Sequence, residues 1–233
     1  MDIEGTVSPI SFVHDVLFGF ARRELRRFLE AARGRVEYAG VFDLIAQDMG
    51  HSTLSAWLAT ASDQDVVERV ERAVLEMMDA DRKCRGLKEL QGCIWKSGYE
   101  SGELRSQVFD DVPPALRDWS KRELDLRIYS SGSAAAQKLF FSHTTVGNLT
   151  SYLSGFFDTT VGPKQSPRSY EIIAADMGCD PGQLLFLSDV DSELQAAARV
   201  GFKTALTERP GNRPVHGTFE RIADFSQIQV GRA

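Results

Sequence analysis

Leu184-Leu185-Phe186-Leu187-Ser188-Asp189 is a run of four apolar residues that stops on a hydroxyl and a carboxylate. A strand covered on one face alternates apolar and polar residues. An unbroken run is what a strand buried on both faces requires, and such strands belong to parallel sheets flanked by helices. The neighbouring sequence agrees. Residues 193–200 have helical spacing, Gly201 stops them, and residues 203–206 read as the next strand. Upstream, Leu126-Arg127-Ile128-Tyr129 reads as a strand ending in Ser130-Ser131-Gly132-Ser133, with a helix over 134–141. Phe156-Phe157-Asp158 is a short strand, followed by a helix over 169–177 that Gly178 closes. Strands alternating with helices imply a parallel α/β sheet.

The first half is different. Over residues 9–32 the apolar positions Phe12, Val13, Val16, Leu17, Phe20, Leu25, Phe28 and Leu29 recur at helical spacing, with Ser8 or Ser11 as N-cap. Arg22, Arg23, Arg26 and Arg27 fall between them as a solvated face. A second helix is expected over 63–82, capped by Ser62 with Asp65 three residues on, its buried stripe running from Val66 to Met78. Shorter helices are expected at 41–49 and 53–61. No strand is expected before about residue 125. Pro113-Pro114, after Phe109-Asp110-Asp111, reads as the hinge from the helical half into the sheet.

Composition narrows the function classes. A net charge of −6 argues against a nucleic-acid binder, which carries a basic stripe. Three cysteines without a CxxC pair fit a reducing compartment, and four scattered histidines give no HExxH metal site. No apolar run is long enough for a membrane span, and Met1-Asp2-Ile3-Glu4 lacks the pattern of a signal peptide. The expectation is a cytoplasmic protein with no nucleic-acid or membrane partner.

Ligands of open parallel sheets bind at the carboxyl ends of the strands. Ser130 and Ser131 stand at one such end, and Asp189 at another. Lys164 follows Gly162-Pro163, and Asp2 and Glu4 open the chain ahead of Gly5-Thr6. Each signal alone is ordinary. An Asp after a strand is often only a helix cap, and Ser-Ser-Gly-Ser is common turn chemistry. Together they form a phosphoryl-transfer set: carboxylates for a hard divalent cation, a lysine and hydroxyls for phosphate oxygens, and a carboxylate able to act as nucleophile.

In order, Asp2-Ile3-Glu4-Gly5-Thr6, Tyr129-Ser130-Ser131-Gly132-Ser133, Gly162-Pro163-Lys164 and Leu187-Ser188-Asp189-Val190 resemble the four motifs of the haloacid dehalogenase-like phosphatases. Further segments resemble the bifunctional enolase-phosphatases of methionine salvage. They are Ser8-Pro9-Ile10-Ser11-Phe12-Val13, Leu90-Gln91-Gly92 with Ile94-Trp95, Asp111-Val112-Pro113-Pro114 and Glu208-Arg209-Pro210-Gly211-Asn212. Glu4 stands where most of the superfamily has Asp, which is typical of this subfamily; Gly19-Phe20, where the family tends to have Pro-Tyr, departs from it.

The resemblance implies a Rossmann-like parallel sheet core of the haloacid dehalogenase type over residues 1–17 and 109–233, with an inserted all-helical cap over 18–108. It implies that Asp2 is nucleophile and metal ligand, Glu4 acid/base and part of the metal site, and Asp189 a further ligand to one Mg²⁺. Ser130, Ser131 and Lys164 would hold the substrate phosphate, and Trp95 and Tyr99 would touch the methylthio end or pack within the cap. The implied substrate is a small phosphorylated diketone, turned over by a monomer. A generic phosphatase of the same superfamily, or a non-catalytic phosphate-binding domain, remains open at this level. The family places a buried strand before the nucleophile, so a longer reading frame is expected, with four to eight mainly β-branched or aliphatic residues ahead of Asp2.

Overall fold

The computed structural model describes residues 1–59, 63–82 and 84–229, the side chains of 63–65 excepted. The chain divides into two compact units, Met1–His14 with Arg105–Ala233, and Asp15–Leu104.

The first unit holds the sheet. β1 (Arg127–Tyr129) pairs in parallel with β2 (Gly155–Phe157), and β3 (Leu185–Ser188) pairs in parallel with β4 (Lys203–Thr207), which pairs with β5 (Glu220–Ile222). Between the two groups lies the start of the chain. The Met1 amino group donates to Arg127 O, Tyr129 N donates to Met1 O, and Asp2 N donates to Leu187 O, each at 2.9 Å. Met1 and Asp2 thus fill one strand position between β1 and β3 and carry the Asp2 side chain to the carboxyl edge. A cavity of about 400 Å³ is lined by Met1, Arg127, Tyr129, Leu185 and Phe186 among others. It explains a departure from expectation: Leu185, inside the continuous apolar run, is 38% exposed, whereas Phe186 and Leu187 are buried.

β5 was not foreseen. Glu220-Arg221-Ile222 is an edge strand that buries only Ile222, so it carries no alternation to read. Pro113 and Pro114 are not a hinge. They lie in the first turn of a helix over Val112–Lys121, where the missing N–H has no intrahelical partner to lose. Tyr170, Phe186, Leu194, Ala197 and Phe202 form the core under β3 and β4.

The second unit is helical. A π-helical stretch (Phe12–Phe18) leads into it, followed by α1 (Gly19–Ala32), α2 (Val36–Asp48), α3 (Leu54–Trp57), α4 (Asp63–Asp79) and α5 (Arg85–Ser101). α2 starts earlier than its apolar pattern implied, α3 is shorter, and Ser62 and the Asp65 side chain lie outside the described residues. Leu25, Leu29, Ile45, Val74, Met77, Leu90 and Ile94 are the buried stripe. Gly86 lets α2 and α5 approach: a Cβ there would lie 2.5 Å from Ile45 N and from Leu44 C. The arginines of α1 are ion-paired at the surface, with Arg22 to Asp79 at 2.6 Å and Arg26 to Glu71 at 2.9 Å. Trp95 donates from Nε1 to Leu17 O at 2.8 Å, and Tyr99 is buried in this unit. Among the described residues, no helix is long and apolar enough to cross a membrane.

The remaining helices of the sheet unit are α6 (Val112–Lys121), α7 (Ala134–Ser142), α8 (Pro167–Met177) and α9 (Asp191–Val200).

Candidate active site

Asp2, Glu4, Ser130, Ser131, Lys164 and Asp189 line one cavity of about 690 Å³ at the carboxyl edge of the sheet. Six positions scattered over 188 residues of sequence are therefore neighbours in the fold. Each is delivered by a local device. Gly5 has a left-handed φ of 65°, and the turn after it folds three N–H groups, from Thr6, Val7 and Ser8, onto Ile3 O. This turn brings Glu4 back to the edge that Asp2 occupies. Ser130 follows β1, and its loop is pinned by Gln137, whose Nε2 donates to Gly132 O and Phe157 O. Lys164 is placed by Gly162 at φ 133°, by Tyr129 Oη donating to Gly162 O, and by Tyr170 Oη donating to Lys164 O.

Lys164 is buried, and its ammonium is shared by two carboxylates: Asp2 Oδ2 at 2.7 Å and Glu193 Oε2 at 2.6 Å. Burial opposes its charge, but Asp2 and Glu193 outweigh burial and raise its pKa. The sequence reading gave Lys164 to the substrate phosphate. In the structure its first partners are protein carboxylates, and a phosphate entering the cavity has to share that charge. Asp2 Oδ1 in turn accepts from Ile3 N at 2.7 Å.

Glu193 was missed. It stands four residues after Asp189, in the first turn of α9, where an acidic residue also suits the helix dipole, so the sequence offered a bland reason for it. Ser188 Oγ donates to Glu193 at 2.9 Å; burial and then Asp2 raise the pKa of Glu193. His14 was missed too. Its Nε2 lies 2.9 Å from Glu4 Oε1, ten residues along and with no spacing signal to betray it. Burial raises the Glu4 pKa, and His14 works against that rise.

Asp189 sits on the other flank. Burial, then the Asp2 charge, push its pKa up to about 7. The cavity is thus lined by the carboxylates of Asp2, Glu4, Asp189, Asp191 and Glu193 against the cations Lys164 and Arg213, an excess of negative charge that a divalent cation relieves. No three His, Cys, Asp or Glu side chains among the described residues are gathered into a finished ligand set. The donor chemistry nevertheless fits. Asp2, Glu4 and Asp189 supply hard oxygens to one cavity, and beside Asp189 the buried Asn212 Oδ1 has no hydrogen-bond partner among the described residues.

No protein-family model matches the chain. It is 42% identical to enolase-phosphatase E1 of Synechococcus elongatus over 229 residues, which is 98% of this chain and 95% of that protein. The chain belongs to the enolase-phosphatase E1 family. The UTR4 protein of Saccharomyces cerevisiae, known from a crystal structure, is similar in fold with a TM-score of 0.79 and 34% identity over 97% of both chains. A haloacid dehalogenase-type phosphatase from Thermococcus onnurineus matches with a TM-score of 0.56 at 18% identity over 97% of this chain and 93% of its own, a likeness of fold alone. An enolase-phosphatase family member on this fold is a hydrolase of the phosphatase class, and the acidic cavity lies where such a fold binds its ligand.

Proposed function

We propose that this chain converts 2,3-diketo-5-methylthiopentyl 1-phosphate, with Mg²⁺, to the acireductone 1,2-dihydroxy-3-keto-5-methylthiopentene and inorganic phosphate, as a cytoplasmic monomer of methionine salvage. The observation that supports it is a pairing in one cavity: a buried aspartate held by a lysine, and two residues later a glutamate where a shorter aspartate would serve a plain phosphatase.

Asp2 is the nucleophile of this reading. Its carboxylate is fixed by Lys164 and by Ile3 N, so little orientation remains to be lost on reaction. Attack on phosphorus forms an aspartyl-phosphate and releases the substrate oxygen, which takes a proton. Water then cleaves the acyl phosphate, giving phosphate and restoring Asp2. Glu4 is the proton carrier, with His14 against its carboxylate. Ser130, Ser131 and Lys164 receive the phosphate oxygens. Asp2, Glu4 and Asp189 would hold Mg²⁺, which when bound supplies Lewis-acid polarisation of the substrate carbonyl and neutralises phosphoryl charge. Enolisation requires removal of a carbon-bound proton, and Glu4 is the group assigned to it.

The test is anaerobic turnover of the diketone phosphate with Mg²⁺, following acireductone by ultraviolet absorbance and phosphate release in parallel. Both signals are expected. Phosphate release from an aryl ester without acireductone formation would make the chain a generic phosphatase; phosphate binding without any release would make it a binding domain.

A further inference from the structure

β4 ends at Thr207, and the loop that follows is fastened twice. Arg209 donates from Nε to Thr6 O at 3.1 Å and from its terminal nitrogens to both Asp111 oxygens, at 2.9 and 2.7 Å. Three residues on, Asn212 N donates to Arg209 O at 3.0 Å, and Asn212 Nδ2 donates to Gly5 O at 2.8 Å and to Thr207 O at 2.9 Å. Both amide N–H donors therefore face carbonyl oxygens. This fixes which end of the amide is which, because turning it over would set oxygen against two carbonyls. The consequence falls on Oδ1, which is buried with no hydrogen-bond partner among the described residues. A buried acceptor without a donor is destabilising and calls for a reason.

Its surroundings supply one. A Cβ placed on Gly5 would lie 2.4 Å from Asp189 Oδ2 and 2.9 Å from Asn212 Oδ1. Two oxygens from two different loops thus flank the same point beside Gly5, and one of them belongs to a carboxylate that lines the acidic cavity. Both oxygens pack against Gly5, so the unpaired Asn212 Oδ1 stands close enough to the Asp189 carboxylate to meet water bound to a cation held there. We propose that Asn212 is a positioning residue of the cation site. Its Nδ2 ties the Gly5 turn to the end of β4, and its Oδ1 accepts a hydrogen bond from water in the shell of the Mg²⁺ ion. The inference rests on the Mg²⁺-dependent reading above and names a residue that reading does not use. Partners of this outer kind commonly change metal affinity by about 10–100-fold when removed.

Calorimetric titration of the full chain with Mg²⁺, without substrate, separates the roles. Asn212→Ala loses donors and acceptor together and is expected to bind Mg²⁺ about 10–100-fold more weakly. Asn212→Asp loses the same donors but keeps an oxygen and adds charge, so it is expected to bind at least as tightly as the wild type, although both variants melt lower without metal. Wild-type affinity in Asn212→Ala would overturn the proposal. So would equal weakening in both variants, which would leave Asn212 as a loop anchor only. A wild-type chain that binds no Mg²⁺ would instead refute the metal reading itself, and the proposal with it. If neither variant folds, the wild type still decides. The Asn212 side-chain ¹³Cγ resonance is expected to move during the Mg²⁺ titration, and a stationary resonance would overturn the proposal.

Discussion

Two flanks of the same cavity contrast in how their charges are met. On the Lys164 flank, one buried ammonium lies between Asp2 and Glu193 at 2.7 and 2.6 Å, and Ser188 adds a hydrogen bond to Glu193. On the Asp189 flank, a carboxylate whose pKa is pushed up to about 7 stands beside a buried carbonyl oxygen with no partner among the described residues. The first flank is assembled by folding. The second is held in place by folding but left in need of positive charge. On the proposed reading the difference divides the chemistry between them: the Asp2 carboxylate is held by the chain itself, whereas the Asp189 side would draw its positive charge from a bound cation.

Breaking the assembled flank should have the largest effect. Lys164→Met removes the cation and leaves two carboxylates facing each other in a buried place. A broken buried ion pair of this kind costs about 3–5 kcal/mol of folding stability. Loss of the charge that meets the phosphate should also lower turnover on the order of a thousandfold. Urea unfolding and phosphate-release assays measure the two losses. A stability change under about 1 kcal/mol, the range of a surface pair, would show that the Asp2–Lys164–Glu193 contacts hold little of the fold.

The same contrast explains what the sequence made legible. Lys164 and Asp189 could be found because one follows a Gly-Pro turn and the other an apolar run, and strand ends are where a parallel sheet exposes its chemistry; Asp2, with only Met1 before it, was legible only through the likeness of Asp2-Ile3-Glu4-Gly5-Thr6 to a known motif. Leu126–Tyr129 and Leu184–Leu187 gave strands within a residue of β1 and β3, since buried strands have a readable pattern. Glu193 was not legible because an acid in the first turn of a helix has a sufficient local reason to be there. Asn212 looks like any loop asparagine, and its importance lies in a carbonyl 207 residues away in sequence, Gly5 O. His14 belongs to a stretch read as plain amphipathic helix, which in the structure winds as a π-helix. Long-range pairing of polar groups leaves no periodic trace; burial does.

The unassembled flank should respond in the opposite sense when its charge is removed. Asp189 has a folded-state pKa of about 7 against an ordinary 3.8, owing to burial and the Asp2 charge, with Glu193 adding to the rise and Lys164 opposing it. Between those values the folded chain keeps a proton that the unfolded chain has released. Metal-free stability therefore falls as pH rises through this window and levels off above it. Asp189→Asn cannot ionise and escapes the penalty. Without metal, the variant should match the wild type near the lower limit and exceed it by about 2 kcal/mol above the upper one, after allowance for solvent screening. Mg²⁺ should stabilise the wild type and do little for the variant. Denaturant unfolding at several pH values, with and without Mg²⁺, gives all four comparisons. Equal pH slopes in the two proteins would remove Asp189 as the source of the dependence, and equal Mg²⁺ stabilisation would remove it as a ligand.

Glu4 lies between the two flanks in character, and its substitution should have the smallest and most selective effect. Its side chain is 39% exposed, and its Oε1 lies 2.9 Å from His14 Nε2. Glu4→Asp keeps the charge and withdraws it by one methylene, which separates it from His14 and from any proton it was placed to meet. A displacement of about 1 Å can cost up to roughly a hundredfold in rate. A plain phosphatase tolerates aspartate here, since the leaving oxygen lies close to Asp2. The diketone reaction also needs a proton taken from C1, one bond beyond the leaving oxygen. Acireductone formation should therefore fall about tenfold more than hydrolysis of an aryl phosphate, a difference worth about 1.4 kcal/mol. His14→Gln, which still offers an N–H at similar reach, should fall less than His14→Ala in the same pair of assays, because it can still hold the carboxylate. Equal losses on both substrates for Glu4→Asp would mean that the extra methylene serves packing against His14 rather than the second proton transfer.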